Sequence, residues 1–225
     1  MKLSPWVRLP TGWIEEKGLK SYQWGRDGQG STAIAGLMTL IVLAQHADPE
    51  TGTAKLTYDQ LTQATGLSRS KLSDGLDLIE ANEHIVREVA GRSTYGLEDY
   101  DQFGGWAKLP AKGLYSGGRL GAFHHFKLRQ MAELDAIKAY LTFAARRDRK
   151  TNMAQLSYLK IEEYAGIPPA RIKAATSMLA ALGLVVIDQL PSGQSEYGIS
   201  NAYRLTHVES YRHRGTLGRS GIQPT

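Results

Sequence analysis

The groups in this chain that could do chemistry are six histidines, 22 carboxylates and 27 lysines and arginines, with no cysteine among its 225 residues. The lack of cysteine excludes disulfide scaffolds, thiolate metal sites and thiol nucleophiles. His46, His84, His124, His125, His207 and His213 fall in no ligand pattern, because the adjacent His124-His125 lack the alternating spacing that lets two rings hold one ion. Glu15-Glu16 and Glu162-Glu163 read as charges flanking helices rather than as an acid and a base. Neither a phosphate-binding G-x-x-x-x-G-K-[ST] loop nor a G-x-S-x-G nucleophile turn is present. Gly25-x-x-Gly28-x-Gly30 follows no strand, so it reads as a flexible loop and not as a dinucleotide site. The expectation is a protein that is not an enzyme and uses no cofactor or metal.

The cations say more by their placement. Residues 1–100 hold 10 Lys and Arg against 13 Asp and Glu, whereas residues 101–225 hold 17 against 9. A positive excess confined to one half suits a polyanion there and a different partner for the other half. Arg146, Arg147, Arg149 and Lys150 form a tight group, with Arg119, Lys127 and Arg129 upstream of it. The tail, with Arg212 and Arg214, is basic and aperiodic. It is expected to be a flexible arm able to follow phosphates. The longest apolar run, Ile34 to Ala44, is too short to cross a bilayer. Met1 to Pro10 lacks the apolar core of a signal peptide. A soluble, cytoplasmic protein is expected.

These groups must be positioned by a duplicated unit. Trp6-Val7-Arg8-Leu9-Pro10 recurs as Trp106-Ala107-Lys108-Leu109-Pro110. The same offset of 100 aligns Ile34, Leu37, Leu40, Ile41 and Ala44 with Leu134, Ile137, Tyr140, Leu141 and Ala144. It also aligns Leu56, Leu61, Gly66, Leu72 and Ile79 with Leu156, Ile161, Gly166, Ile172 and Leu179. The expected domains are 1–100, opening on a preamble with Trp6, Trp13 and Trp24, then 101–208, then the tail 209–225.

In the first copy, apolar periodicity predicts a helix over 32–46. A short extended piece over 53–56 follows. Thr57-x-x-Gln60 is a capping box that opens a second helix. Gly66 tolerates the left-handed conformation that stops it. Ser68 caps a third helix running to about Asn82, and 85–89 with 94–97 read as a hairpin. The second copy predicts helices over 131–147, 159–165 and 169–182, with hairpin strands over 184–190 and 197–205. Pro168-Pro169 sits where a helix start accepts proline.

Helix, short strand, helix, three-residue turn, helix, hairpin is the order of a winged helix-turn-helix. The run from Leu56 to Leu72, Leu-Thr-Tyr-Asp-Gln-Leu-x-x-Ala-Thr-Gly-Leu-Ser-Arg-Ser-Lys-Leu, carries the helix-turn-helix signature. Over roughly 30–100 and 130–207 the sequence resembles the tandem winged-helix proteins. The expected class is α+β, mainly helical, with two tandem winged-helix domains.

The resemblance implies that the third helix of each copy enters a major groove, with its N-terminal residues at base edges. With Leu72, Leu76 and Ile79 on the core side, the first copy presents Ser70, Asp74, Asp77 and Ala81, flanked by Arg69, Lys71 and Ser73. Two carboxylates there suit DNA poorly. The second copy presents Ala170, Ala174, Ser177 and Ala181, flanked by Arg171 and Lys173. Small residues allow close approach and the cations can reach phosphates or guanine, so this copy is the expected reader of double-stranded DNA. Arg92, at the first hairpin tip, is an expected phosphate contact, whereas the second tip offers only Ser192, Gln194 and Ser195. The first copy suits a protein contact, either with a second copy of the chain or with a replication or transcription protein. Tandem winged helices without an ATPase are similar to the replication initiators of plasmids and phages. A transcriptional regulator of the same fold is one alternative. A protein-interaction scaffold of the helicase-loader or chromosome-segregation type is the other.

Overall fold

The computed structural model describes residues 5–191 and 199–208. The first unit comprises β1 (Trp6–Pro10), α1 (Gly12–Glu15), α2 (Gln29–His46), β2 (Thr53–Lys55), α3 (Tyr58–Thr65), α4 (Arg69–Ala81), β3 (Ile85–Arg87) and β4 (Thr94–Leu97). The second repeats the order with β5 (Trp106–Pro110), α5 (Ala111–Leu114), α6 (Met131–Arg146), β6 (Met153–Gln155), α7 (Tyr158–Ala165), α8 (Pro169–Ala181), β7 (Val185–Pro191) and β8 (Ile199–Leu205). Antiparallel sheets β2-β4-β3 and β6-β8-β7 complete the units. The protein is α+β, mainly helical, and built from two similar winged-helix-like units.

Local signals act where the residues place them. Thr57 Oγ1 accepts from the Gln60 N–H at 3.2 Å and Gln60 Oε1 accepts from the Thr57 N–H at 2.8 Å. This closes the box that starts α3. Gly66 ends α3 at φ 73°, and Ser68 caps α4 through the Lys71 N–H. Pro169 is the first residue of α8. α2 starts at Gln29, three residues earlier than its periodicity predicts, because Gly28 at φ 81° turns the chain into it.

The apolar face read on α2 widens into burial all round, from Ala33 to Gln45. The reason is its place in the stack. α4 packs on one side of α2 and α6 on another, and α8 packs on α6. α6 is buried from Glu133 to Ala144, yet it carries Glu133, Asp135 and Lys138 at only 4%, 3% and 3% exposure. Glu133 is satisfied by the backbone N–H groups of Lys127, Arg129 and Gln130 at 2.7, 3.1 and 3.2 Å.

The units meet symmetrically. β1 pairs antiparallel with β5 in the register Trp6↔Pro110, Arg8↔Lys108 and Pro10↔Trp106. Exchanging each residue for its repeat equivalent returns the same set of pairs, so a local two-fold axis passes midway between Arg8 and Lys108. Trp6 and Trp106 stack beside it, with ring centroids 5.6 Å apart. The segments ahead of α2 and α6 then cross over. The Leu120 N–H donates to the Ala64 carbonyl at 2.7 Å, and the Tyr115 hydroxyl to the Ile41 carbonyl at 2.5 Å. In the other direction, Lys17 pairs with Glu163 at 3.2 Å and Glu15 with Arg146 at 3.5 Å.

The preamble tryptophans serve packing. Trp24 lies over Gly30, where a Cβ would meet its ring at 2.2 Å. Trp13 stacks on His84 at 4.0 Å, and Tyr22 lies 5.9 Å from the imidazole and 6.2 Å from the Trp13 ring, so the three rings form one cluster. Burial pushes the His84 pKa down to about 4. Between that value and the ordinary 6.5 the unfolded chain holds the extra proton, so stability is lost as pH falls. Acidification from neutrality to pH 5 should cost about 2 kcal/mol through this group. Against a His84→Phe variant, the thermal midpoint of the wild type should drop by an additional 4–8 °C or so over that interval, as scanning calorimetry would read. Parallel pH profiles would show that His84 is not buried neutral.

Candidate nucleic-acid interface

Helix α8 buries Ile172, Ala175, Thr176 and Leu179 against its own unit. The opposite face, Ala170, Ala174, Ser177 and Ala181, is exposed together with Lys173. Lys173 has no acidic partner among the described residues. No carboxylate projects from this helix at all, and its first turn offers N–H groups of the kind that favour phosphate.

Arg171 takes a different course from its neighbour. One step along a helix turns a side chain by about 100°, and that step carries the Arg171 guanidinium towards α6. There its Nε lies 3.1 Å from the Asp135 carboxylate. Asp135 is buried, and Lys138 one turn further on donates to the Tyr22 carbonyl at 2.7 Å. Burial pushes the Asp135 carboxyl up against the opposing pull of Arg171 and Lys138. Burial likewise brings the Lys138 ammonium down to about 8, with Asp135 opposing. Arg171, its side chain one-third exposed, thus stands beside the reading face but already holds a buried carboxylate as its partner. The sequence signal for this pair is an Asp and a Lys three residues apart within the apolar stretch Leu134 to Leu141 of α6.

The corresponding face of the first unit is half-neutralised. Ser70 and Asp77 are exposed, and Ser73 and Asp74 partly so. Lys71 binds Asp74 at 3.2 Å, Arg69 binds Asp59, and Arg87 of β3 reaches both Asp77 and Glu80. Each cation beside α4 thus has a carboxylate of its own unit. Arg92 is exposed at the hairpin tip.

The remaining cluster lies at the other end of α6, about 24 Å away for a helix of this length. Arg149 and Lys150 are exposed, Arg149 sits over the Trp106 ring at 5.4 Å, and Arg146 sits over Tyr164 at 5.0 Å. Arg147 is partly buried, and burial followed by the nearby Arg149 lowers its pKa. It lines a cleft of about 350 Å³ with Thr11, Glu15 and Trp106. Lys173 thus belongs to a helix that begins beside the first turns of α6, and Arg146, Arg147, Arg149 and Lys150 lie at the far end of α6. Arg212 and Arg214, with the second hairpin tip, lie outside the described residues.

Neither protein-family models nor characterised protein sequences match this chain. Its chemistry must be argued from its own surface. No group of three or more His, Asp or Glu able to hold a metal occurs among the described residues, and no helix there is long and apolar enough to cross a membrane.

Proposed function

We propose that this chain is a sequence-specific double-stranded DNA-binding protein whose second unit is the reader. Its task is taken to be replication initiation at a plasmid, phage or other mobile element. The observation that carries the reading is the exposed, carboxylate-free face of α8 beside Lys173, which has no acidic partner among the described residues. Small side chains let a helix approach the groove floor, and one cation at its margin meets a phosphate or guanine. The paired charges around α4 make the first unit the weaker DNA partner. The initiator role rests on tandem winged-helix-like units in a chain with no nucleotide-binding motif. A transcriptional regulator would use the same surface.

The test is selection from a random duplex library by the purified full-length chain at physiological salt, followed by sequencing of what is retained. A discrete motif is the expected result, and its genomic layout then separates the roles. Clustered copies at one locus belong to an initiator, and scattered promoter sites to a regulator. Retention with no enrichment over input would contradict sequence-specific recognition.

A further inference from the structure

The cleft beside Trp106 holds hydrogen-bond donors that the fold leaves unused. We infer that it is a binding site for a small ligand carrying a phosphoryl group, one per chain. This does not rest on the DNA-reading proposal above.

The cleft, of about 350 Å³, is walled by both units, with Thr11 and Glu15 from the first and Trp106, Arg147 and Arg149 from the second. Small-molecule sites have volumes of this order. Trp106 Nε1 and Arg147 Nε are both buried, and neither N–H has an acceptor among the described residues. Buried donors are nearly always paired, because each gives up its bond to water. Two unpaired donors on the walls of one cleft are accounted for by an acceptor that enters it. Arg149 is exposed and sits over the Trp106 ring at 5.4 Å, so its guanidinium can close on such a group. The carboxylate on the wall, Glu15, is already paired with Arg146 at 3.5 Å.

With two guanidiniums on the walls, the acceptor is an anion. Burial, and then the neighbouring Arg149, disfavour the charged form of Arg147. A dianion between the two arginines offsets both effects, and a phosphoryl group brings three acceptor oxygens to the guanidinium and indole N–H groups.

The internal repeat shows what the fold itself requires. The offset of 100 sets Ala47 and Pro49 against Arg147 and Arg149. In the first unit that turn is closed, because the Pro49 carbonyl accepts from Arg8 Nη1 at 2.9 Å and from the Tyr100 hydroxyl at 2.8 Å. The same turn therefore folds with neither arginine. Attraction of cations to the C-terminal end of α6 accounts for their charge, but not for two N–H donors left unpaired. The arginines belong to the second unit alone, which gives one site per chain.

The probe is inorganic phosphate, titrated into the full chain by calorimetry and compared with chloride at equal ionic strength. Saturable binding of one phosphate per chain is expected, with a rise in thermal midpoint that chloride does not give. Trp106→Phe keeps a ring against Trp6 but removes the N–H, and Arg149→Gln removes an exposed cation; each should weaken phosphate binding about tenfold. Lys55→Gln, at an exposed position on β2, should bind phosphate as the wild type does. Stabilisation that never saturates and is equal in every variant would be a bulk salt effect and would overturn the inference. One phosphate per chain, bound unchanged by Trp106→Phe and Arg149→Gln, would also overturn it by placing the site elsewhere. In a second arm, an unselected duplex is added to the phosphate complex. Phosphate should be retained, since the cleft lies at the end of α6 away from Arg171 and the start of α8. Phosphate displaced by the duplex would assign the cleft to a nucleic-acid backbone and overturn a small-molecule site.

Discussion

Arg171→Ala should destabilise the fold by about 3 kcal/mol, because it strips a buried carboxylate of its partner. Asp135 is 3% exposed and its ion pair with Arg171 is 3.1 Å long. Lys138 remains nearby, which keeps the cost towards the lower end of what breaking a buried pair brings. For a chain of this size, that corresponds to a fall of roughly 6–12 °C in the thermal midpoint. Adding Asp135→Asn should recover most of it, since the neutral amide no longer needs a cation. Lys173→Ala, two residues along and exposed, should stay within about 0.5 kcal/mol of wild type. At a temperature where all variants are folded, Arg171→Ala should bind DNA with the wild-type salt slope. A stable Arg171→Ala protein with a reduced slope would return this arginine to the DNA surface.

The second large effect is expected at the crossing of α2 and α4. A Cβ on Gly75 would stand 2.8 Å from the Gly36 backbone nitrogen and 2.9 Å from the Ala35 carbonyl carbon. These are backbone atoms in two packed helices, so neither can turn aside as a side chain would. Gly75→Val should therefore cost more than about 3 kcal/mol, beyond ordinary overpacking of a core. Its denaturant midpoint, or failure to accumulate folded, is the readout. The equivalent positions of the second unit are Ala136 and Ala175, both fully buried. That crossing already accommodates a methyl on each helix. There Ala175→Gly should cost about 2 kcal/mol, from the helix-propensity loss and the removal of one buried methyl. A Gly75→Val protein as stable as wild type would contradict backbone-to-backbone contact at the first crossing.

These contrasts show what the sequence could and could not convey. Thr57, Gly66, Ser68 and Pro169 act within three or four residues of themselves, so capping and turn chemistry placed the ends of α3, α4 and α8 closely. The core face of α4 was legible from Leu72, Leu76 and Ile79, all fully buried, because helical periodicity needs no tertiary information. The crossing-over of the two preambles left no such trace. Tyr115 with Ile41, or Leu120 with Ala64, are partners fixed by how the units dock. The repeat was visible as an offset, but whether it meant translation or rotation depended on the pairing of β1 with β5. At the interface, Lys173 and Arg171 looked alike. Only Asp135, 36 residues earlier, decides that one of them turns inwards.

The most direct test of the DNA-reading account is the salt dependence of affinity for the selected duplex, measured for the wild type and for Lys173→Ala. The account predicts a steep fall in wild-type affinity as salt rises, from counterions released at contacted phosphates. It predicts a slope shallower by about 1 in the variant, for one lost contact. An affinity indifferent to salt, or identical slopes and affinities in the two proteins, would contradict a reading surface on α8.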